Sequence, residues 1–132
     1  MKQENYNILK LICLLIIFIS LIFFFINLNI FLTYQKIPAK ITNLTYTFFA
    51  IQDPKPSFNI SYDYNFNSTV YHQFIQSLSN YGTRKDLNTH VYVNPQNPNE
   101  SILLWQLYSF LLTSIFISLV FITIFFKFKK NL

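Results

Sequence analysis

Residues 90–105 read HVYVNPQNPNESILLW, and how this stretch is divided decides the fold. Val91 and Val93 alternate with their neighbours as residues of a strand do. Pro95 has no N–H to give to a ladder, and Asn94 before it is held extended, so the strand stops there. A second set of signals follows. Asn97 suits a helix N-cap, Pro98 the first helical position, and Glu100 the place from which a capping-box carboxylate reaches back. The stretch predicts a stiff joint of Asn94, Pro95, Asn97, Pro98 and Glu100, with a helix starting at Pro98.

Downstream of the joint, residues 101–126 are apolar and carry no charge, and KFKKNL closes the run. Upstream, residues 11–34 form a similar run whose only polar members are Ser20, Asn27, Asn29 and Thr33. Each exceeds the roughly 20 residues a helix needs to cross a bilayer core. Both read as transmembrane helices. A secretory signal is the other reading of the first run, but the run is long and no small-x-small site follows it closely.

The whole chain agrees with two spans. Its 132 residues are 52% hydrophobic and only 11% charged, against about 25% charged in soluble domains. The net charge of +5 would suit nucleic acid or an anionic membrane surface. Lys2 and Lys10 precede the first span, and Lys127, Lys129 and Lys130 follow the second. No basic groove with interleaved aromatics appears, so nucleic acid is not an expected partner. The placement of Lys puts both termini in the cytoplasm and the middle on the far side. Cys13 is the single cysteine, so no intrachain disulfide is available.

The middle begins with a strand leading off the first span, PAKITNLTYTFFAI, which QDPKP (residues 52–56) breaks. SFNISYDYNFN then alternates: Phe58, Ile60, Tyr62, Tyr64 and Phe66 point one way, and Asn59, Ser61, Asp63, Asn65 and Asn67 the other. Asn67-Ser68 suits a tight turn into a strand at 69–75. Residues 76–88 read as a loop around Gly82, the only glycine. The sum is a small antiparallel sheet of three or four strands. The expected class is membrane α+β, two transmembrane helices flanking that sheet. The expected bounds are a tail at 1–10, a span at 11–35, an extracytoplasmic β domain at 36–97, a span at 98–126 and a basic tail at 127–132.

In the first span, Cys13, Ser20, Asn27 and Tyr34 recur every seven residues. They form one stripe that drifts by about 20° per step. In the second, Gln106, Ser109 and Thr113 share a face. Antiparallel packing would bring Ser20 to the depth of Ser118, and Asn27 to that of Ser109 and Phe110. Ser20, Asn27, Gln106, Ser109 and Thr113 are therefore expected to pack the helices together, as small polar residues do in lipid.

The order of span, Tyr62-x-Tyr64 strand, Asn-Pro run and span resembles the membrane family catalogued as domain of unknown function 3592. Val91, Val93, Asn94, Pro95, Asn97, Pro98, Ser101 and Leu103 carry the resemblance, with Ala39 upstream. It implies the two-span layout and no activity.

Other features are weaker. Of the four N-x-S/T matches, Asn43 and Asn67 are the candidate glycan acceptors if the host is a eukaryote. Lys129 and Lys130 stand where a dilysine retrieval signal to the endoplasmic reticulum would. A two-residue turn would set His72 opposite Asp63, an exposed cross-strand pair rather than a metal site. No phosphate loop, serine elbow or paired carboxylates appear, so neither catalysis nor a cofactor is expected. The expected role is non-enzymatic: an accessory or interaction protein in the lipid bilayer, with a membrane protein partner or a second copy. An oligomeric transporter or channel component is the alternative.

Overall fold

A computed structural model of the chain describes residues 3–47 and 57–130. They form α1 (Gln3–Thr33), β1 (Gln35–Thr47), β2 (Ser57–Phe66), β3 (Thr69–Ser77), β4 (Asn88–Val93), β5 (Ser101–Leu103) and α2 (Leu104–Lys130). Two units divide the chain: a helical one, residues 1–29 with 108–132, and a sheet unit, Ile30–Leu107. The expected layout is present, with two long apolar helices before and after an antiparallel sheet. The expected break at residues 52–56 lies outside the described residues.

In the helical unit, both helices are long and apolar enough to cross a membrane. α1 has 31 residues and α2 has 27, roughly 46 and 40 Å at the usual rise. α1 starts at Gln3 rather than at residue 11, and Glu4 in its first turn complements the positive end of the helix. The polarity of the pair is inverted. Cys13, Ser20 and Asn27 are the buried residues of α1, and Ser114 and Ser118 those of α2 beyond Tyr108, among the described residues. Leu11, Phe18, Phe25, Leu112 and Phe116 are 61–68% exposed.

The sheet unit is a five-stranded antiparallel sheet in the order β3-β2-β1-β4-β5. Its core is one face of the sheet: Ile37, Ala39 and Ile41 of β1, Ile60, Tyr62, Tyr64 and Phe66 of β2, Val91 and Val93 of β4, and Leu103 of β5. The alternation read in β2 holds. β1 changes parity part-way. Ile41 faces Tyr62, Asn43 faces Ser61, and Thr42 between them has no opposite residue. This bulge hands the core face from the odd positions to Leu44, since one extra residue flips every side chain beyond it. Asn67 and Ser68 have φ of 51° and 65°, the two left-handed residues a type I′ hairpin turn requires.

β5 corrects the sequence reading. The helix starts at Leu104, not at Pro98, and Asn94 to Glu100 form a loop between paired strands. Val91, Tyr92 and Val93 face Leu103, Ile102 and Ser101. The same residues serve a turn as well as a helix start, since Pro also favours the second position of a β-turn. The Glu100 N–H donates to Asn97 O at 2.9 Å and closes that turn. Pairing with β4 then decides the outcome, because it satisfies β4's free edge and leaves Leu103 only 1% exposed. The sheet domain therefore extends to Leu103, past the expected limit at residue 97.

Candidate functional site

Three places gather polar groups. The first is the Asn-Pro loop. Asn94 N–H donates to Glu100 O at 2.9 Å, and Gln96 N–H donates to Asn94 Oδ1 at 3.0 Å. The Glu100 carboxylate accepts from Asn94 Nδ2 at 2.8 Å, Asn97 Nδ2 at 3.1 Å and the Tyr34 hydroxyl at 3.3 Å. These donors, Asn94 first, hold its carboxyl below the ordinary 4.5. Burial, then the hydrogen bond to and charge of Glu100, push the Tyr34 phenol up. From the core side, Tyr64 donates to Pro98 O at 2.6 Å, and Gln73 on β3 donates to Asn99 O at 3.0 Å. The Tyr62 hydroxyl lies 2.9 Å from Ser101 Oγ. Burial pushes Tyr62 up to about 12. The Tyr-x-Tyr strand and the Asn-Pro run, read as separate features, thus form one contact, and the loop folds over the core face from which these tyrosines rise. Of the expected joint, Asn94, Asn97, Pro98 and Glu100 make these bonds, as a capped loop rather than a helix cap. Pro95 is exposed.

The second place is the seam of the helical unit. Ser20 Oγ donates to Ser114 O at 2.7 Å and lies 2.9 Å from Ser118 Oγ, which is also 2.9 Å from Ser114 O. Two hydroxyl protons serve these three contacts, so the Ser118 proton goes either to Ser114 O or to Ser20. Phe23 meets Phe110 edge to face at 5.7 Å, and Lys10 Nζ sits 5.3 Å from the Phe125 ring centre. Ser20 packs against Ser118 as expected. The face assigned to α2 needs correction. Thr113 is exposed and donates within its helix to Ser109 O, and Ser109 and Gln106 are half-buried. The seam uses Ser114 and Ser118, turned about 100° from Thr113 by one residue of helix. Asn27 is buried, but its amide donates to Phe23 O of its own helix. A mostly apolar cavity of about 270 Å³ beside the seam is lined by Ile16, Ile19, Phe23, Thr113, Ser114 and Ile117 together with Ser20.

The third place is the outward face of the sheet. A shallow groove of about 470 Å³ crosses it, lined by Lys40, Asp63, Asn65, Val70, Asn88 and His90 among others. His72 Nδ1 lies 2.7 Å from Asp63 Oδ1, the cross-strand pair expected from the two-residue turn. Lys40 pairs with Asp86 at 3.7 Å. No three His, Cys, Asp or Glu converge on a metal-sized site among the described residues. Asn43 and Asn67 are both exposed, Asn67 at the hairpin tip. Asn59 instead donates to Thr47 Oγ1 at 2.8 Å. Lys129 and Lys130 belong to the last turn of α2.

Sequence reasoning missed Tyr34 and Gln73 as loop partners and Ser114 as the seam acceptor. The serines at positions 114 and 118, four apart on one helix face, carried a signal for the seam. Nothing local marked Gln73, whose bond depends on how the sheet rolls. Comparison with protein-family models, curated proteins and solved structures yields no match.

Proposed function

We propose that this chain is a non-enzymatic integral membrane protein. Its two helices cross the bilayer, its termini lie in the cytoplasm, and its sheet is displayed on the far side as an interaction domain. The observation that carries the reading is the inverted polarity of the helical unit, which buries serine and asparagine and presents leucine and phenylalanine outward. In water that arrangement leaves a large apolar surface uncovered; in lipid it is the favourable one. Thr113 and Thr123 donate to carbonyls four residues back, which supports it, since hydroxyls facing hydrocarbon have no water to bond. Tyr34 and Trp105, at the sheet-side ends of the two helices, suit interfacial anchors. Membership in the family of unknown function 3592 is part of this proposal.

Within it, the role is that of an accessory protein, whose sheet recognises another protein or a second copy. The mostly apolar lining of the cavity beside the seam suits packing better than an ion path. The test is alkaline extraction of native membranes, followed by gentle detergent extraction, cross-linking and mass spectrometry. Retention in the membrane and a stoichiometric companion or second copy are expected. Release by alkali would overturn the membrane reading. Recovery only as a monomer would overturn the interaction reading.

A further inference from the structure

The sheet has two edges of different character. β5 offers three residues and then becomes α2. β3 offers nine, Thr69–Ser77, with β2 as its strand neighbour and no bulge in the register. Exposed edges are normally protected by charge, proline or brevity, and β3 has none of these. No Lys, Arg, Asp or Glu occurs from Tyr64 to Thr83, although the chain carries 15 such residues. The hairpin turn makes Phe66 and Thr69 a hydrogen-bonded pair, so Thr69, Tyr71, Gln73, Ile75 and Ser77 bond inward to β2. The backbone groups of Val70, His72, Phe74 and Gln76 then point to the open edge. Their side chains share the outward face, where Val70 is 55% and Phe74 62% exposed.

We infer that β3 pairs antiparallel with β3 of a second copy, joining two sheets into one across a two-fold axis at Gln73. The inference rests on the reading of the sheet as a displayed interaction domain, since copies held in one bilayer meet at high effective concentration. Three observations select a second copy over another strand. Identical edges set like charges against each other, and this edge has no formal charge to repel. The bonding parity requires even positions to face even positions, and centring on Gln73 satisfies it while pairing all nine residues. His72 then faces Phe74, Val70 faces Gln76 and Tyr71 faces Ile75, with about eight main-chain hydrogen bonds. Third, the two Phe74 rings become diagonal neighbours on the outward face, within aromatic reach, which covers an otherwise exposed phenylalanine.

The test is site-directed disulfide formation in native membranes, in full-length protein carrying Cys13→Ala. Gln73→Cys places the two sulfur-bearing residues directly opposite, about 4.5 Å apart at Cα, within disulfide reach. Val70→Cys places its two copies about 20 Å apart, six residues of strand. A mild oxidant is expected to cross-link Gln73→Cys into a homodimer at least tenfold faster than Val70→Cys. Because Gln73 also bonds the Asn-Pro loop, the mixed pair His72→Cys with Phe74→Cys, on differently tagged copies, serves as the second variant and is expected to form the tagged heterodimer. Phe74→Lys in the Gln73→Cys background is expected to abolish the cross-link. Equal rates for Gln73→Cys and Val70→Cys, or cross-linking of Gln73→Cys to a different protein, would overturn the inference. Extraction by alkali is scored separately, so failure of the membrane reading is distinguishable from failure of the pairing.

Discussion

Glu100 shows how much one side chain holds in place. Its carboxylate accepts hydrogen bonds from two asparagine amides and a phenol, and its folded-state pKa lies below the ordinary value. A depressed carboxylate contributes stability that is fully present above its unfolded pKa and is lost as pH falls through the folded one. Protease clipping between Asn94 and Glu100 is therefore expected to accelerate as pH drops below about 4.5, measured with an acid-tolerant protease. Glu100→Gln should clip faster at neutral pH and lose that pH dependence. Asn97→Ala, which removes one of the three donors, should accelerate clipping less. A rate in wild type that does not change with acidification would refute this account of the loop. Tyr62 makes a second residue-scale case. Tyr62→Phe leaves the ring in place and removes the bond to Ser101, so a loss of about 1 kcal/mol is expected from denaturant midpoints. The sequence marked Tyr62, Tyr64, Pro98 and Ser101, but the bonds Tyr62–Ser101 and Tyr64–Pro98 join residues more than 30 apart in the chain, and no local signal reveals such a contact.

At the scale of elements, strand β2 and its hairpin were legible because alternation and a two-residue turn are local properties. β5 was not, since three residues are too few for a period and its pairing depends on β4. The start of α2 shares this lesson: pairing outweighed local preference. The bulge at Thr42 makes a sharp prediction. Deleting Thr42 takes out only the unpaired residue and leaves Ile41 opposite Tyr62 and Leu44 opposite Ile60, both on the core face, whereas deleting Lys40 would turn outward either Ile41 or both Ile37 and Ala39. The Lys40 deletion should fail to accumulate as folded protein, whereas the Thr42 deletion should persist, scored by resistance to limited proteolysis. In the helical pair, Ser20→Leu removes both contacts to α2, and cross-linking between cysteines at Phe23 and Phe110 should fall several-fold. Asn27→Leu should lower it less, because the Asn27 amide bonds its own helix. Equal losses would show that the seam does not depend on Ser20.

For the whole molecule, composition and apolar run length carried the layout, while the rolling of the sheet had to be seen, because it depends on twist and on the loop folded over the core face. One feature of that layout bears on how the chain is made. β1, the central strand, is synthesised first among the strands, but its neighbour β4 follows about 50 residues later. The last core residue, Leu103, directly precedes the first residue of α2. The nascent domain consequently leaves the ribosome with its hairpin able to form early and its hydrophobic centre incomplete until the second helix has begun to be translated. Chains released before residue 101 should be caught by chaperones and degraded, and pulse-chase of a truncation ending at residue 100 beside the 132-residue chain would expose the difference. Domain completion and entry of the second helix into the translocation machinery are thereby set within a few codons of each other.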